Sequence, residues 1–240
     1  MLLEAKNVTR NFGGLAAVKD VSFAVEQGEI VGLIGPNGAG KTTLFNVLTG
    51  FLPPSQGEVR FEGRRISGML PDRICQLGIA RTFQVVKPFG NMTVLQNVMV
   101  GSFLREGSES GARRAAEQVL EMVGLAHRRD VLARNLTIAD RKRLEAARAL
   151  ATRPKLLLLD EVMAGLNPSE VNDVLGLLRE IRARGTTLLL IEHIMAAVMA
   201  ISDRILVLHH GSLIAQGTPR QVAEAPAVID AYLGERYLIA

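Results

Sequence analysis

The sequence predicts an α/β fold with a mainly parallel core sheet, and three observations carry that reading. Ile30–Ile34, Leu156–Leu159 and Thr187–Ile191 are apolar runs of strand length without polar alternation, the pattern of strands covered on both faces. Helical stripes accompany them: Leu44, Val47 and Leu48 after the first run, and Val171, Val174, Leu175, Leu178 and Ile181 before the third. The third observation is Gly35-Pro36-Asn37-Gly38-Ala39-Gly40-Lys41-Thr42-Thr43, which joins the first strand to the first helix and fits the phosphate-binding pattern G-x-x-x-x-G-K-[ST].

That loop organises the chain. Gly35, Gly38 and Gly40 let backbone amides approach a phosphate chain with no side chain in the way. The helix N-terminus behind them adds partial positive charge. Lys41 can reach β- and γ-phosphates, and the Thr42 hydroxyl can ligate Mg²⁺. Gly50 is placed to stop the helix.

Composition sets bounds on what surrounds this loop. The 240 residues suit one large domain or two small ones. Apolar residues make up 48% and charged residues 22%, as in soluble globular chains. No apolar run approaches the roughly 18 residues that a membrane span requires. Met1–Lys6 lacks the features of a signal peptide. The lone Cys75 excludes an internal disulfide, fits a reducing cytoplasm and reads as a small buried side chain. Lys plus Arg total 28 against 24 Asp plus Glu, an excess too small to choose among nucleotide, nucleic-acid and membrane partners.

Taken in order, residues 3–35 read as β-structure, with Val8, Val21, Phe23 and Val25 in short segments broken by Gly13-Gly14 and Gly28. Phe12 lies beside these glycines, where its ring fits either a nucleotide base or ordinary core packing. Pro53–Gly57 predicts a turn, followed by a strand over Glu58–Glu62. A further strand is predicted over Ile79–Phe83, and Gln84 leaves its end, either toward a ligand or as a plain loop residue. Val85–Met92 is an apolar loop that needs cover, from a partner protein or from the chain's own core.

Residues 93–151 read as helical, with Val94, Leu95, Val98 and Met99 on one stripe and Val119, Leu120 and Val123 on another. Gly107–Gly111 predicts a flexible break between them. Thr137 and Asp140 have the spacing of a capping box at the start of a helix that faces inward with Leu144, Ala147, Leu150 and Ala151.

The strand Leu156–Leu159 ends in Asp160-Glu161. Two carboxylates there suit a Mg²⁺–phosphate site, with Asp160 near the metal and Glu161 near an attacking water. Asn167-Pro168-Ser169-Glu170 opens another helix with an Asn cap, Pro at the first position and Glu three on, and Gly185 stops it. His193 leaves the end of the strand Thr187–Ile191, where α/β sheets bind ligands. A hairpin around His210-Gly211, with His209 and His210 on its surface, and a small helical piece through Tyr232-Leu233-Gly234 complete the chain.

In this order the motifs resemble the nucleotide-binding subunit of ABC transporters over essentially the whole chain. The loop Gly35–Thr43 resembles Walker A, Leu156–Asp160 resembles Walker B, and Glu161 the catalytic glutamate. Gln84 is similar to the Q-loop glutamine, His193 to the switch histidine and Phe12 to the aromatic that stacks on adenine. Arg81–Gln84, Met92–Val98 and Ala164–Pro168 resemble the branched-chain amino acid importers, particularly their LivG-type ATPase. Lipopolysaccharide-export and urea-type ATPases are the neighbouring alternatives.

The resemblance implies a P-loop NTPase of ABC type, residues 1–240 forming one ATP-binding domain. It has an N-terminal antiparallel β-subdomain and a helical subdomain inserted over about residues 87–153. ATP and Mg²⁺ are the implied ligands. The implied nucleotide contacts are Phe12, Gly35, Asn37, Gly38, Gly40, Lys41, Thr42 and Thr43. Thr42, Gln84 and Asp160 serve the metal, and Lys41, Gln84, Glu161 and His193 serve catalysis.

The implied partners are a second ABC ATPase subunit (the same or a different chain), two membrane permeases and, indirectly, a solute-binding protein, with no nucleic acid. The implied location is the cytoplasmic face of the inner membrane. A nucleic-acid-associated ABC ATPase would carry a second ATPase domain or a long coiled coil, for which the chain has no room. A non-hydrolysing gating subunit would lack Glu161 or His193, and both are present.

Two departures stand out. The family signature Leu-Ser-Gly-Gly-Gln, which meets the opposite subunit's γ-phosphate, here reads Leu136-Thr137-Ile138-Ala139-Asp140, and Asn167 stands where the family has an aspartate. Side chains on Ile138 and Ala139 restrict close backbone approach, and Asp140 adds negative charge.

Overall fold

The computed structural model of the chain describes residues 1–84 and 86–237. It runs β1 (Leu3–Phe12), β2 (Leu15–Val25), β3 (Ile30–Ile34), α1 (Lys41–Leu48), β4 (Gln56–Phe61), β5 (Arg64–Arg65), α2 (Pro71–Leu77) and β6 (Ile79–Arg81). Then follow α3 (Val94–Ser102), α4 (Glu109–Met122), α5 (Ile138–Leu150), β7 (Leu156–Asp160), α6 (Pro168–Ala183), β8 (Thr187–Ile191) and α7 (Met195–Ile201). The chain continues through β9 (Arg204–His209), β10 (Ser212–Gly217), α8 (Pro219–Ala223) and α9 (Pro226–Tyr237). It divides into two compact units, Met1–Ile74 with Thr187–Ala240, and Cys75–Thr186.

The first unit holds an antiparallel sheet in the order β2-β1-β4-β5 and the strands β10-β9-β3-β8. In the latter, β3 runs parallel to both β8 and β9, and β10 returns antiparallel on β9 through the hairpin at His210-Gly211. Val8, Val18, Val21 and Val25 are fully buried in the antiparallel sheet, and every residue of β3 and β8 is buried. That is why the first sheet alternates in sequence and the other reads as unbroken apolar runs.

In the second unit β6 and β7 run parallel, pairing Ile79 with Leu156 and Arg81 with Leu158. All four leucines of β7 are at most 1% exposed. Burying such a side chain contributes about 1.5–3 kcal/mol each. Helix α3 packs against both α4 and α5, closing a core of Val94, Val98, Ala112, Ala116, Leu144 and Ala147.

Several local expectations shift. The strand expected over Ile79–Phe83 ends at Arg81, although the Thr82 amide still reaches the Leu158 carbonyl at 2.9 Å. The strand expected at Glu58–Glu62 starts earlier, at Gln56, and stops before Glu62, whose φ of +49° breaks the extended backbone. Gly107–Gly111 is not simply a break. The Ser108 side chain accepts the Gly111 amide at 3.1 Å and starts α4 within it. Cys75 is half-buried on α2, a helix that the sequence reading left out. His210 is exposed and His209 half-buried, and Val85 lies outside the described residues.

Candidate functional site

The phosphate loop leaves the C-terminal end of β3 in the first unit. Gly35 and Gly40 have φ of +151° and +101°. A Cβ on Gly35 would lie 2.0 Å from the Leu208 carbonyl oxygen, and one on Gly40 would lie 2.2 Å from that of Ala17. No other residue fits these positions, so the tight path of the loop backbone depends on glycine. Asn37, Gly38 and Thr42 are exposed there and Thr43 is half-buried. Lys41 is only 7% exposed, and its ammonium donates to the Gly35 and Pro36 carbonyls at 2.6 and 2.8 Å. These bonds hold the cation over the loop, where anionic oxygens would dock.

Gly40 caps α1 without a side-chain hydrogen bond, and no acidic residue stands in the first turn. The partial positive charge of that helix end is therefore left for a ligand. β8 is the parallel neighbour of β3, with Leu33 opposite Ile191, so His193 and the loop leave the same sheet edge. His193 is exposed beside the buried Glu192. Phe12 ends β1 and is 46% exposed, which removes it from the core, and the Arg10 guanidinium lies 4.9 Å from its ring centroid.

The second unit gathers the other predicted residues. Parallel pairing of β6 and β7 brings Gln84, Asp160 and Glu161 to one strand edge. The Gln84 side-chain amide donates to Glu161 Oε2 at 2.8 Å. Arg81 Nη2 meets Asp160 Oδ2 at 3.1 Å with both side chains at most 5% exposed. Burial pushes the Arg81 guanidinium below its usual pKa, and the charge and hydrogen bond of Asp160 oppose that shift. The Asp160 amide donates to Thr82 Oγ1 at 3.1 Å.

Glu161 has a φ of +52°, the left-handed region that only a few residues other than glycine adopt. Its carbonyl accepts from Lys142 Nζ at 3.1 Å, and the same ammonium donates to the Ala164 carbonyl.

The altered signature opens α5. The Thr137 side chain accepts the Asp140 amide at 3.1 Å, but the expected reciprocal bond is not made: a capping box closes both ways at Thr93/Gln96, Asn167/Glu170 and Thr218/Gln221 and only one way here. An aspartate carboxylate is one methylene shorter than the glutamate or glutamine of those boxes. Ile138 is 72% exposed in front of this helix end, and Asp140 sits in its first turn. Asn167 is used as the cap of α6, accepting the Glu170 amide at 3.0 Å.

In the loop over 86–92, Asn97 is fully buried. It accepts the Phe89 amide at 2.9 Å and donates to the Phe89 and Thr93 carbonyls at 3.1 and 2.9 Å. Arg148 lies 4.8 Å above the Phe89 ring and bonds Glu145 at 3.0 Å. The chain's own helices thus anchor the loop backbone, while the Phe89 ring stays 44% exposed.

Sequence reasoning missed Arg81, Thr82, Asn97 and Lys142. The signal for Asn97 was a polar residue inside an apolar helical stripe. The other three become visible only once β6, β7 and α5 are placed.

A fold with this phosphate loop, uncapped helix and carboxylate-tipped strand is an α/β P-loop nucleoside triphosphatase. Comparison with known proteins narrows the class. A family model described as ABC transporter matches residues 18–164, and one described as branched-chain amino acid ATP-binding cassette transporter matches residues 212–237. LivG of Salmonella typhimurium, a high-affinity branched-chain amino acid transport ATP-binding protein, is 44% identical over 98% of this chain and 98% of its own.

An ATP-binding cassette of an ABC transporter in its ADP conformation superposes with a TM-score of 0.88 at 34% identity, covering 97% of this chain and 98% of that one. A dimeric ATP-binding cassette in a post-hydrolysis state, bound to ADP and Pi, gives 0.82 at 25% identity over 91% and 99%. The chain belongs to the ABC transporter family as an ATP-binding cassette, an ATPase coupled to transport. No described helix is long and apolar enough to cross a membrane.

Proposed function

We propose that this chain is the ATP-hydrolysing subunit of an importer for branched-chain amino acids or a related small polar solute. The observation that carries the ATPase reading is the phosphate loop itself: two glycines whose places no Cβ can take, a lysine held over them, and an uncapped helix end behind. The solute class rests on the 44% identity to LivG across both chains.

In this reading the loop amides over residues 35–43 and Lys41 bind the phosphates, with Asn37 and Thr43 at their edge and Phe12 against the adenine. The donor set Thr42, Asp160 and Gln84 consists of hard oxygens, which suits Mg²⁺. Bound there, the metal would neutralise charge on the β- and γ-phosphates. Glu161 accepts a hydrogen bond from the attacking water and polarises it. His193 orients the γ-phosphate or that water. Phosphoryl transfer is mostly positioning and electrostatics, so these groups suffice.

The cassette would sit on the cytoplasmic face of the inner membrane with two permeases, which a solute-binding protein supplies. It would pair with a second ABC ATPase subunit. The α5 end argues for a different chain as that partner: Thr137, Ile138, Ala139 and Asp140 replace a glycine-rich signature with bulk and negative charge. The pair would then have one strong site and one weak site. Residues 1–240 act as one ATP-binding domain, with 87–153 as its helical portion, and Phe89 meets a permease.

Single-turnover hydrolysis tests the catalytic assignment. Glu161→Gln should retain ATP and slow its cleavage by about 10²-fold or more. A rate within about threefold of wild type would remove Glu161 from this role.

A further inference from the structure

We propose that Lys142 is a positioning residue for hydrolysis, holding the turn that aims Glu161. The inference rests on the reading of Glu161 as the water-polarising group. A lysine ammonium has three donors and no acceptor. Here it bridges the carbonyls at both ends of the turn 161–164, bonding Glu161 at 3.1 Å and also Ala164. The turn closes with the Ala164 amide on the Glu161 carbonyl at 3.3 Å, and Met163 is fully buried beneath it.

Glu161 pays for its left-handed backbone, at about 1–2 kcal/mol for a residue with a Cβ. Such a conformation persists only where its surroundings over-determine it. Lys142 supplies that determination at the carbonyl, and Gln84 engages the carboxylate at 2.8 Å. With the ammonium removed, the turn can relax toward negative φ, and the direction in which the Glu161 side chain leaves the backbone changes with it.

Lys142 also has a second address. It stands on α5, five residues beyond the Thr137 that caps the altered signature. Within the second unit, a shift of the α5 N-terminus would therefore carry the Lys142 ammonium, and with it the carbonyls of the catalytic turn. Arginine, with a longer reach and the same charge, can make both carbonyl bonds; methionine keeps the stem and loses the donors.

The test uses the full chain as wild type, Lys142→Met, Lys142→Arg, Glu161→Gln and the Lys142→Met/Glu161→Gln double variant. Lys142→Met should lower the single-turnover rate at saturating ATP by about tenfold or more. Its affinity for a fluorescent ATP analogue in EDTA should stay within about twofold. Amide hydrogen exchange in 161–164 should quicken. Lys142→Arg should recover most of the rate, and Lys142→Met should cost nothing further in the Glu161→Gln background.

A Lys142→Met rate within about twofold of wild type, while Glu161→Gln is inactive, would overturn the inference and leave the catalytic reading intact. Rate, affinity and melting temperature falling together without rescue by arginine would also overturn it, as a general structural role. Glu161→Gln that still hydrolyses ATP would overturn both together, and that arm alone identifies this case.

Discussion

Helices α1 and α5 each begin at a segment that the family uses to meet phosphate, and their first turns are built in opposite ways. α1 starts at a glycine, has no side-chain cap and has no acid in its first turn. α5 starts at Thr137, whose hydroxyl takes the Asp140 amide, and carries the Asp140 carboxylate beside it. A side-chain cap is worth about 1 kcal/mol over alanine and a few tenths over glycine; α3, α4, α5, α6 and α8 have one, while α7, like α1, does not. At α1 the open end follows a loop whose Gly35 and Gly40 admit no Cβ, and that combination leaves its donors for a ligand. A helix end that is capped and acidic has one donor already taken and a negative charge set against its partial positive end. In the proposed reading, one chain keeps one half of a composite phosphate site and blunts the other.

The largest expected effect breaks the open end. Gly40→Ala places a Cβ 2.2 Å from the Ala17 carbonyl at a φ of +101°. It should cost about 2–3 kcal/mol of stability, read from denaturant unfolding, and abolish retention of ATP. An alanine variant with wild-type affinity would show that the tight path of the loop is dispensable.

Breaking the closed end should cost less. Thr137→Ala removes the cap of α5 and should lower stability by about 1 kcal/mol, leaving ATP affinity unchanged. A larger loss of ATP affinity than of stability would mean that the two ends are not separable.

The smallest effect sharpens the description of α5 further along. Burial pushes the Glu145 carboxyl above its usual range, against the opposing charge of Arg148. The native state therefore holds this proton more tightly than the unfolded chain. Glu145 favours folding at low pH, and its contribution is lost as pH rises from the ordinary glutamate value through the raised one. Glu145→Gln should flatten the stability profile across that window; an unchanged slope would assign it to other groups.

Much of the first helix end was legible because its information is local. The glycines, Lys41 and the preceding apolar strand lie within a dozen residues, and their meaning follows from spacing. The buried strands were legible for the same reason, since Leu156–Leu159 has no polar face to hide. The caps at Thr137 and Asn167 were legible too, although the length of the aspartate side chain decided that only one half of the box closes at Thr137.

What was not legible depends on tertiary register. Arg81 meets Asp160 across 79 residues only because β6 and β7 run parallel with Arg81 opposite Leu158. Lys142 reads as a surface charge on an amphipathic helix until the turn after β7 is placed beneath it. Helix α2 was missed because Pro71–Leu77 is short and buries only Ile74.

The contrast between the two helix ends is tested most directly by ATPase rate against protein concentration, for the unmodified chain and for Asp140→Gln. The lone chain should hydrolyse slowly, with no cooperative rise as concentration increases. Asp140→Gln, which removes the carboxylate from the first turn of α5, should raise the rate. Fast, cooperative hydrolysis by the unmodified chain alone would contradict the assignment of α5 as a blunted phosphate end and make a working homodimer of this cassette.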